Sequence, residues 1–407
     1  MTAALSVLAI PDFRLFAAIR FMATTAYQMV AVAVGWQVYE LTGDPLYLGL
    51  AGLAEFLPAF LSALPAGHAA DRFDRRRILA ACLSWHALAV LGLLTLTLIM
   101  KPPVGAIFAL VAATGVARAF LVPTIQSLLP VLVPPDLFPR AVAWNSSLTK
   151  GAMVAGPALG GLLYAFGPAV VYGCAATLLA ASAIGATRFA TPLKVRAAAT
   201  TGLGALLAGV HYVWSRKDIL GAVSLDLFAV LLGGATALLP IYARDILLIG
   251  PVGLGVLRAA PSVGAATMAV VLAHRPLERR IGRKLFAAVA LFGLATVVFG
   301  LSRSFPLSLA ALTVLGAADM VSVVTRQTLV QIRTPDEMRG RVSAVNWVFI
   351  GASNELGDFE SGLTASWFGT VPAVVIGGVG TLAIAALWAW RFPELRRVDN
   401  FGEPGGT

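Results

Sequence analysis

Apolar stretches of about 20 residues follow one another along the whole chain, separated by short polar turns. Each is long enough to cross a hydrocarbon core of ~30 Å as a helix. Twelve are predicted, at about 14–39, 46–66, 78–100, 105–132, 141–166, 168–190, 219–242, 251–273, 285–301, 306–331, 342–367 and 370–390. A different pattern falls between the sixth and seventh. Leu203, Leu206, Leu207, Val210, Val213 and Trp214 recur at helical spacing and predict a short amphipathic helix on the inner membrane face. The stretch before it, Thr191 to Thr201, reads as linker.

The pattern repeats. Gly115 and Arg118 recur 201 positions on as Gly316 and Asp319, and Asn145, Gly156 and Gly161 recur as Asn346, Gly357 and Gly362. The turn Pro135-Asp136 recurs as Pro335-Asp336, one residue out of register. An offset of about half the 407 residues predicts two copies of one unit. In membrane proteins such duplication commonly places a binding site where the copies meet. The predicted organisation is a six-helix bundle over 1–190, a linker with the amphipathic helix over 191–218, a second bundle over 219–395, and a tail over 396–407.

Composition agrees with lipid as the solvent. Hydrophobic residues make up 58% and charged residues 12%, and mean hydropathy is +0.85, far from the soluble balance. The net charge of +10 reflects basic residues gathered at alternate turns. Arg72, Arg75, Arg76 and Arg77 follow the second stretch, and Arg275, Arg279, Arg280, Arg283 and Lys284 follow the eighth. The opposite turns hold Lys101, Arg244 and Arg303. The positive-inside rule then puts both termini in the cytoplasm of a multi-pass inner-membrane protein. No basic-aromatic run accompanies these charges, so nucleic acid is not the expected partner. The first apolar stretch reads as an uncleaved span rather than a signal peptide.

Enzymatic chemistry finds no support. There is no G-x-x-x-x-G-K-[ST] phosphate loop, no H-E-x-x-H and no G-x-S-x-G. The four histidines lack metal-ligand spacing, and Cys82 and Cys174 read as small buried residues. No metal or cofactor is expected, and any uphill work must draw on an ion gradient or the substrate's own.

The turn after the second stretch reads Gly67-His68-Ala69-Ala70-Asp71-Arg72-Phe73-Asp74-Arg75-Arg76. It resembles the loop signature of the major facilitator superfamily, with Asp74 where that family usually has glycine. A second, degraded copy keeps Arg280, Gly282, Arg283 and Lys284, with Arg275 and Arg279 in place of the glycine and the aspartate. The resemblance implies a cytoplasmic gate at Gly67, Asp71, Arg72, Arg75, Arg76, Arg280, Gly282 and Arg283. Gly156-Pro157-Ala158-Leu159-Gly160-Gly161 resembles the G-P-x-x-G-G motif of the antiporter branch, and close helix packing alone also accounts for its glycines. Thr334 to Arg341 is similar to the branch that holds the enterobactin (siderophore) exporters. Over the whole chain the resemblance implies an all-α membrane protein with twelve transmembrane helices in two six-helix pseudo-repeats. It further implies a monomeric exporter that exchanges protons for a small molecule, with an importer, a uniporter, or a receptor or scramblase as alternatives.

Charges within the stretches are the candidate chemistry, because an ionised group at mid-bilayer costs roughly 2.5–3.5 kcal/mol on insertion scales. They are Glu55, Arg118, Asp226, Arg258 and Asp319. Repeat alignment pairs Glu55 with Arg118 in one half and Asp319 with Arg258 in the other. Such pairs suit proton coupling and equally suit plain helix clamping. Asn354, Glu355 and Asp358 in the eleventh stretch are candidates for the substrate path, with Glu355 and Asp358 on one helix face. Trp36, Tyr39 and Tyr47 are expected in an interfacial belt. Tyr27 and Trp347 are expected to pack, with stacking on a flat substrate as the alternative.

Overall fold

A computed structural model describes residues 5–99, 102–190 and 203–401. The predicted linker and residues 402–407 of the tail therefore lie outside the described residues. The chain is helical throughout, with no strand among the described residues. Its first half runs α1 (Leu5–Leu8), α2 (Pro11–Thr42), α3 (Pro45–Leu61), α4 (Ala63–Arg72), α5 (Arg75–Thr97), α6 (Val104–Leu132), α7 (Phe138–Tyr164) and α8 (Pro168–Ala186). Then come α9 (Leu203–Ser215), α10 (Lys217–Leu232), α11 (Leu239–Ile241), α12 (Gly250–His274) and α13 (Ile281–Leu301). The last are α14 (Phe305–Arg333), α15 (Asp336–Phe368), α16 (Thr370–Arg391) and α17 (Pro393–Arg396).

Local sequence sets the helix ends. Proline opens the first turn of α2, α7, α8, α12 and α14, where its missing N–H costs nothing. Gly43 closes α2 at φ 65°, a left-handed conformation that glycine adopts without strain, and its N–H donates to the Tyr39 carbonyl.

Nine helices among the described residues are long and apolar enough to cross a membrane. The predicted stretch 46–66 differs, because its helix breaks at Ser62 and leaves α3 with 17 residues. The predicted stretches in α7 and α15 are long enough but more polar: α7 carries Arg140 and Lys150, and α15 carries Glu355, Asp358 and Glu360. The stretch 219–242 is also interrupted. α10 ends at Leu232, and Gly233 and Gly234 lead into a 3-10 turn over Ala235–Leu238, then α11 and a wide turn at Tyr242–Ile246.

The chain forms two compact units, one of Met1–Gly43, Leu53–Ala199 and Gly250–Ala259, the other of Asp44–Gly52, Thr200–Ile249 and Ala260–Thr407. Within the first, α2 packs on α7 and α8, and α5 packs on α6 and α8. Within the second, α13 lies between α14 and α16, and α10 and α9 pack on α15. Large apolar side chains such as Leu98, Phe166 and Trp390 are exposed, as lipid-facing residues of a bundle are.

Several expectations change here. Trp36 and Tyr39 are buried, with Trp36 against Tyr164, so they belong to the core rather than to an interfacial belt. Cys82 is buried as expected, but Cys174 is exposed. The amphipathic helix exists as α9, where Val210 and Val213 pack inward and Trp214 is 67% exposed. The side chain of Trp347 lies outside the described residues.

Candidate functional site

Close backbone contact places the buried charges. A methyl group on Gly115 of α6 would overlap the Glu55 carbonyl of α3, so only glycine lets these helices touch. That contact brings α3 and α6 together at the level of their charges, Glu55 and Arg118. Arg118 donates to Glu55 Oε1 at 3.0 Å and to the Tyr27 hydroxyl at 2.7 Å, with its guanidinium 4.8 Å above the Tyr27 ring. The first predicted pair is therefore formed, and Tyr27 is its third member rather than a free stacking platform.

Beside this triad lies a cavity of about 200 Å³, entirely within the first unit. Its lining includes Arg20, Tyr27, Gln28, His86, Arg118 and Thr149. Arg20 donates through Nε to the Thr149 hydroxyl at 3.3 Å. His86 is 4% exposed and sits edge-on to Tyr27, with ring centroids 6.3 Å apart. Neither of its ring nitrogens has a hydrogen-bond partner among the described residues. A buried imidazole left in that state is costly, and it offers a hydrogen bond to whatever enters the cavity.

Gly316 repeats the role of Gly115: a methyl there would overlap the Pro261 backbone, pressing α14 onto α12. Arg258 belongs to the first unit, and the second unit holds a buried pair that the sequence reading did not name. Arg258 donates to the Ala31 carbonyl at 3.3 Å, within the first unit. A buried ion pair in the second unit joins Asp226 of α10 to Arg326 of α14 at 3.0 Å. Arg326 also donates to Asn346 of α15 at 2.6 Å and is only 2% exposed. Asp319 and Asp226 line one small cavity with Ser322 and Phe292, about 10 Å³ in volume, at the limit for a single water. This pair has no counterpart in the first half of the repeat. Arg326 aligns with Ile125, so the second unit carries a base that the first lacks.

The gate motif also folds differently from a loop. Gly67, Asp71 and Arg72 lie in α4, and the chain turns only at Phe73. The Asp71 side chain lies outside the described residues. Asp74, the departure from the family pattern, accepts from the Arg76 N–H at 2.9 Å and caps α5. Arg75 donates to the Ser127 carbonyl at 3.2 Å and Arg76 to the Phe189 carbonyl at 3.0 Å, tying the turn to the ends of α6 and α8. In the degraded copy, Arg280 adopts φ 56° and Gly282 donates to the Val398 carbonyl at 2.9 Å. The second unit has a further ion cluster at the start of α10, where Asp218 accepts from Arg333 at 2.9 Å and from Arg216 at 3.2 Å.

Gly156 and Gly160 face α2, where added methyl groups would press on Gln28, Thr25 and Met29. Gly161 meets Gly255 and Pro251 of α12, with Pro157 on the same contact. The motif is thus a packing surface on two sides of α7. Glu355 and Asp358 share the predicted face and lie against Gly52, while Asn354 is exposed.

Arg20, His86 and Arg326 escaped the sequence reading. For the two arginines the signal was present, since each is a charge inside an apolar stretch. Only His86 gave none.

Comparison with known proteins agrees with this architecture. The transmembrane secretion effector family matches residues 2–402. The chain belongs to this family, whose fold is that of the major facilitator superfamily. It is similar to the enterobactin exporter EntS of Citrobacter koseri, 26% identical over 397 residues, covering 95% of this chain and 93% of that one. EntS of Escherichia coli matches to the same extent. Among solved structures, an inward-facing bacterial homolog of the human lysosomal transporter Spinster gives a TM-score of 0.74 at 13% identity, covering 98% of this chain and 99% of that one. The nucleoside transporter NupG gives 0.67 at 14%, covering 95% and 100%. At such identities the structural likeness is one of fold. The chain is a multi-pass membrane transporter of small molecules and not an enzyme.

Proposed function

We propose that this protein exports a small molecule across the inner membrane by alternating access, in exchange for protons. In this reading twelve transmembrane helices form two six-helix repeats, over 1–190 and 219–395, around a monomer with both termini in the cytoplasm. The observation that carries it is the first-unit site: an intramembrane Glu55–Arg118 pair beside a polar cavity holding an unpartnered histidine. Binding there of an oxygen-rich, anionic substrate would satisfy Arg20, Arg118 and His86 together. It would also draw Arg118 from Glu55, leaving that carboxylate freer to take a proton.

The direction of transport is supported by the secretion family and by the name of the relatives, enterobactin exporter. A siderophore-like substrate is carried over from that name. Asp226, Arg326 and Asp319 form the second coupling element, and Arg258 steadies the outer part of α12. The gate residues Gly67, Asp71, Arg72, Arg75, Arg76, Arg280, Gly282 and Arg283 lock the inner ends. Asn354, Glu355 and Asp358 line the path.

Everted membrane vesicles loaded with protons by respiration test the reading. An exporter accumulates a catecholate siderophore in them, and collapse of the pH gradient releases it. Glu55→Gln is expected to abolish gradient-driven accumulation by at least tenfold while substrate exchange at equilibrium persists. Equilibration without accumulation, unaffected by the pH gradient, would point to a uniporter. Gradient-driven flux in right-side-out vesicles alone would point to an importer. No flux over a broad substrate panel would leave only a receptor or scramblase.

A further inference from the structure

Four guanidiniums without carboxylate partners surround a pocket at one end of the second unit, away from the buried charges. It has a volume of about 630 Å³ and is lined by Arg280, Arg283, Arg396, Arg397, Val398 and Asp399. All four arginines are exposed, and none forms an ion pair with a carboxylate among the described residues. The one carboxylate in the lining is already engaged, because Asp399 Oδ1 accepts from the Arg280 N–H at 3.0 Å. Glu278 and Glu394, each two residues before an arginine of the pocket, do not line it, and Glu403 lies outside the described residues.

The frame is built rather than incidental. Gly282 and Ile281 donate to the carbonyls of Val398 and Asp399 at 2.9 and 3.3 Å. A methyl on Gly282 would overlap the Leu395 carbonyl, so the two segments touch along their backbones. Leu395 and Val398 are buried in one cluster with Ile281 and Leu285. The segment after α16 is thereby docked against the start of α13, which fixes the two pairs of arginines facing each other. Within the predicted tail, Val398 and Phe401 pack on this same cluster.

Depth selects the ligand. The pocket lies at the first residue of α13 and a few residues past the end of α16, two helices apolar enough to span the membrane. Trp390, 76% exposed at the last turn of α16, marks the interfacial level. We propose that this pocket binds the phosphodiester headgroup of an anionic phospholipid. A phosphodiester brings one negative charge and unhindered acceptor oxygens, which planar guanidinium forks engage in pairs. Basic pockets at the ends of membrane helices recognise such headgroups on the same grounds. The bound lipid ties the turn before α13 to the segment after α16.

The test uses the full-length protein, purified and delipidated in detergent. Phosphatidylglycerol or phosphatidylcholine with identical acyl chains is titrated in, and bound lipid is counted by native mass spectrometry. Phosphatidylglycerol is expected to bind about tenfold more tightly than phosphatidylcholine. Arg396→Gln with Arg397→Gln should cut that preference to twofold or less. Arg396→Lys with Arg397→Lys should keep most of it, and Arg303→Gln should leave it whole. If the glutamine pair unfolds the protein, Arg280→Gln with Arg283→Gln tests the opposite wall with the same expectation. An undiminished preference in folded glutamine variants overturns the proposal, as does the absence of any preference in the wild type. Displacement of phosphatidylglycerol by submillimolar inorganic phosphate overturns the lipid assignment and makes a soluble phosphate the ligand.

Discussion

Asp226→Asn is the most informative single substitution, because it removes a charge and almost nothing else. Arg326 is 2% exposed and Asp226 is 7% exposed, with 3.0 Å between nitrogen and oxygen. Asn346 takes one further guanidinium hydrogen at 2.6 Å, while Nε of Arg326 has no partner. Neutralising Asp226 therefore leaves a buried cation with neutral acceptors only. Breaking a buried pair in this way costs about 3–5 kcal/mol, or roughly two to three and a half decades in the folding equilibrium. The competing picture is a neutral hydrogen bond between helices, which averages only about 0.6 kcal/mol in membranes. The two differ enough to decide. Reversible unfolding in mixed detergent micelles, followed by tryptophan fluorescence, measures the loss. Asp226→Leu with Arg326→Met should recover most of it, since replacing both partners by apolar groups is often neutral or stabilising. A loss below 1 kcal/mol for Asp226→Asn, or a double variant no better than the single one, refutes the buried ion pair.

Three smaller outcomes follow from the same geometry. Gly161→Ala should cost about 1–3 kcal/mol by forcing α7 off Gly255, whereas Gly173→Ala, which meets no neighbour within 4 Å, should be neutral or stabilising by up to about 1 kcal/mol. Thermal melting separates them, and equal effects would count against the packing surface. Asp74→Ala should cost about 1 kcal/mol through loss of the α5 cap, and Asp74→Gly only a few tenths. Equal losses in the two variants would argue that Asp74 does not act as a cap. In the folded protein in detergent, N-ethylmaleimide should modify Cys174, on the lipid-facing side of α8, faster than the buried Cys82, as read by peptide mass. Labelling of Cys82 at a comparable rate would contradict its burial.

The membrane class was legible because lipid imposes a single rule on every residue of a span. Runs of about 20 apolar residues need no partner to be recognised, and neither does the 201-residue repeat. The repeated glycines were readable as contacts, and Gly115 and Gly316 each bring two helices into backbone contact within a unit, against Glu55 and Pro261. The Glu55–Arg118 pair was also within reach, since the helices that carry them cross at one of those glycines. The sequence could not choose partners elsewhere. Nothing in the repeat pointed to the Ala31 carbonyl, to which α12 carries Arg258. Asp226 meets Arg326 only because α10 and α14 pack side by side. His86 was illegible for a related reason: its want of a partner depends on every helix around it. Hydrophobic patterning is local and survives in one dimension, so the membrane class and most of the apolar helices followed from composition and spacing alone, whereas the breaks at Ser62 and Gly233 did not. Which buried charge meets which depends on helix rotation and crossing, and those exist only once the helices have packed.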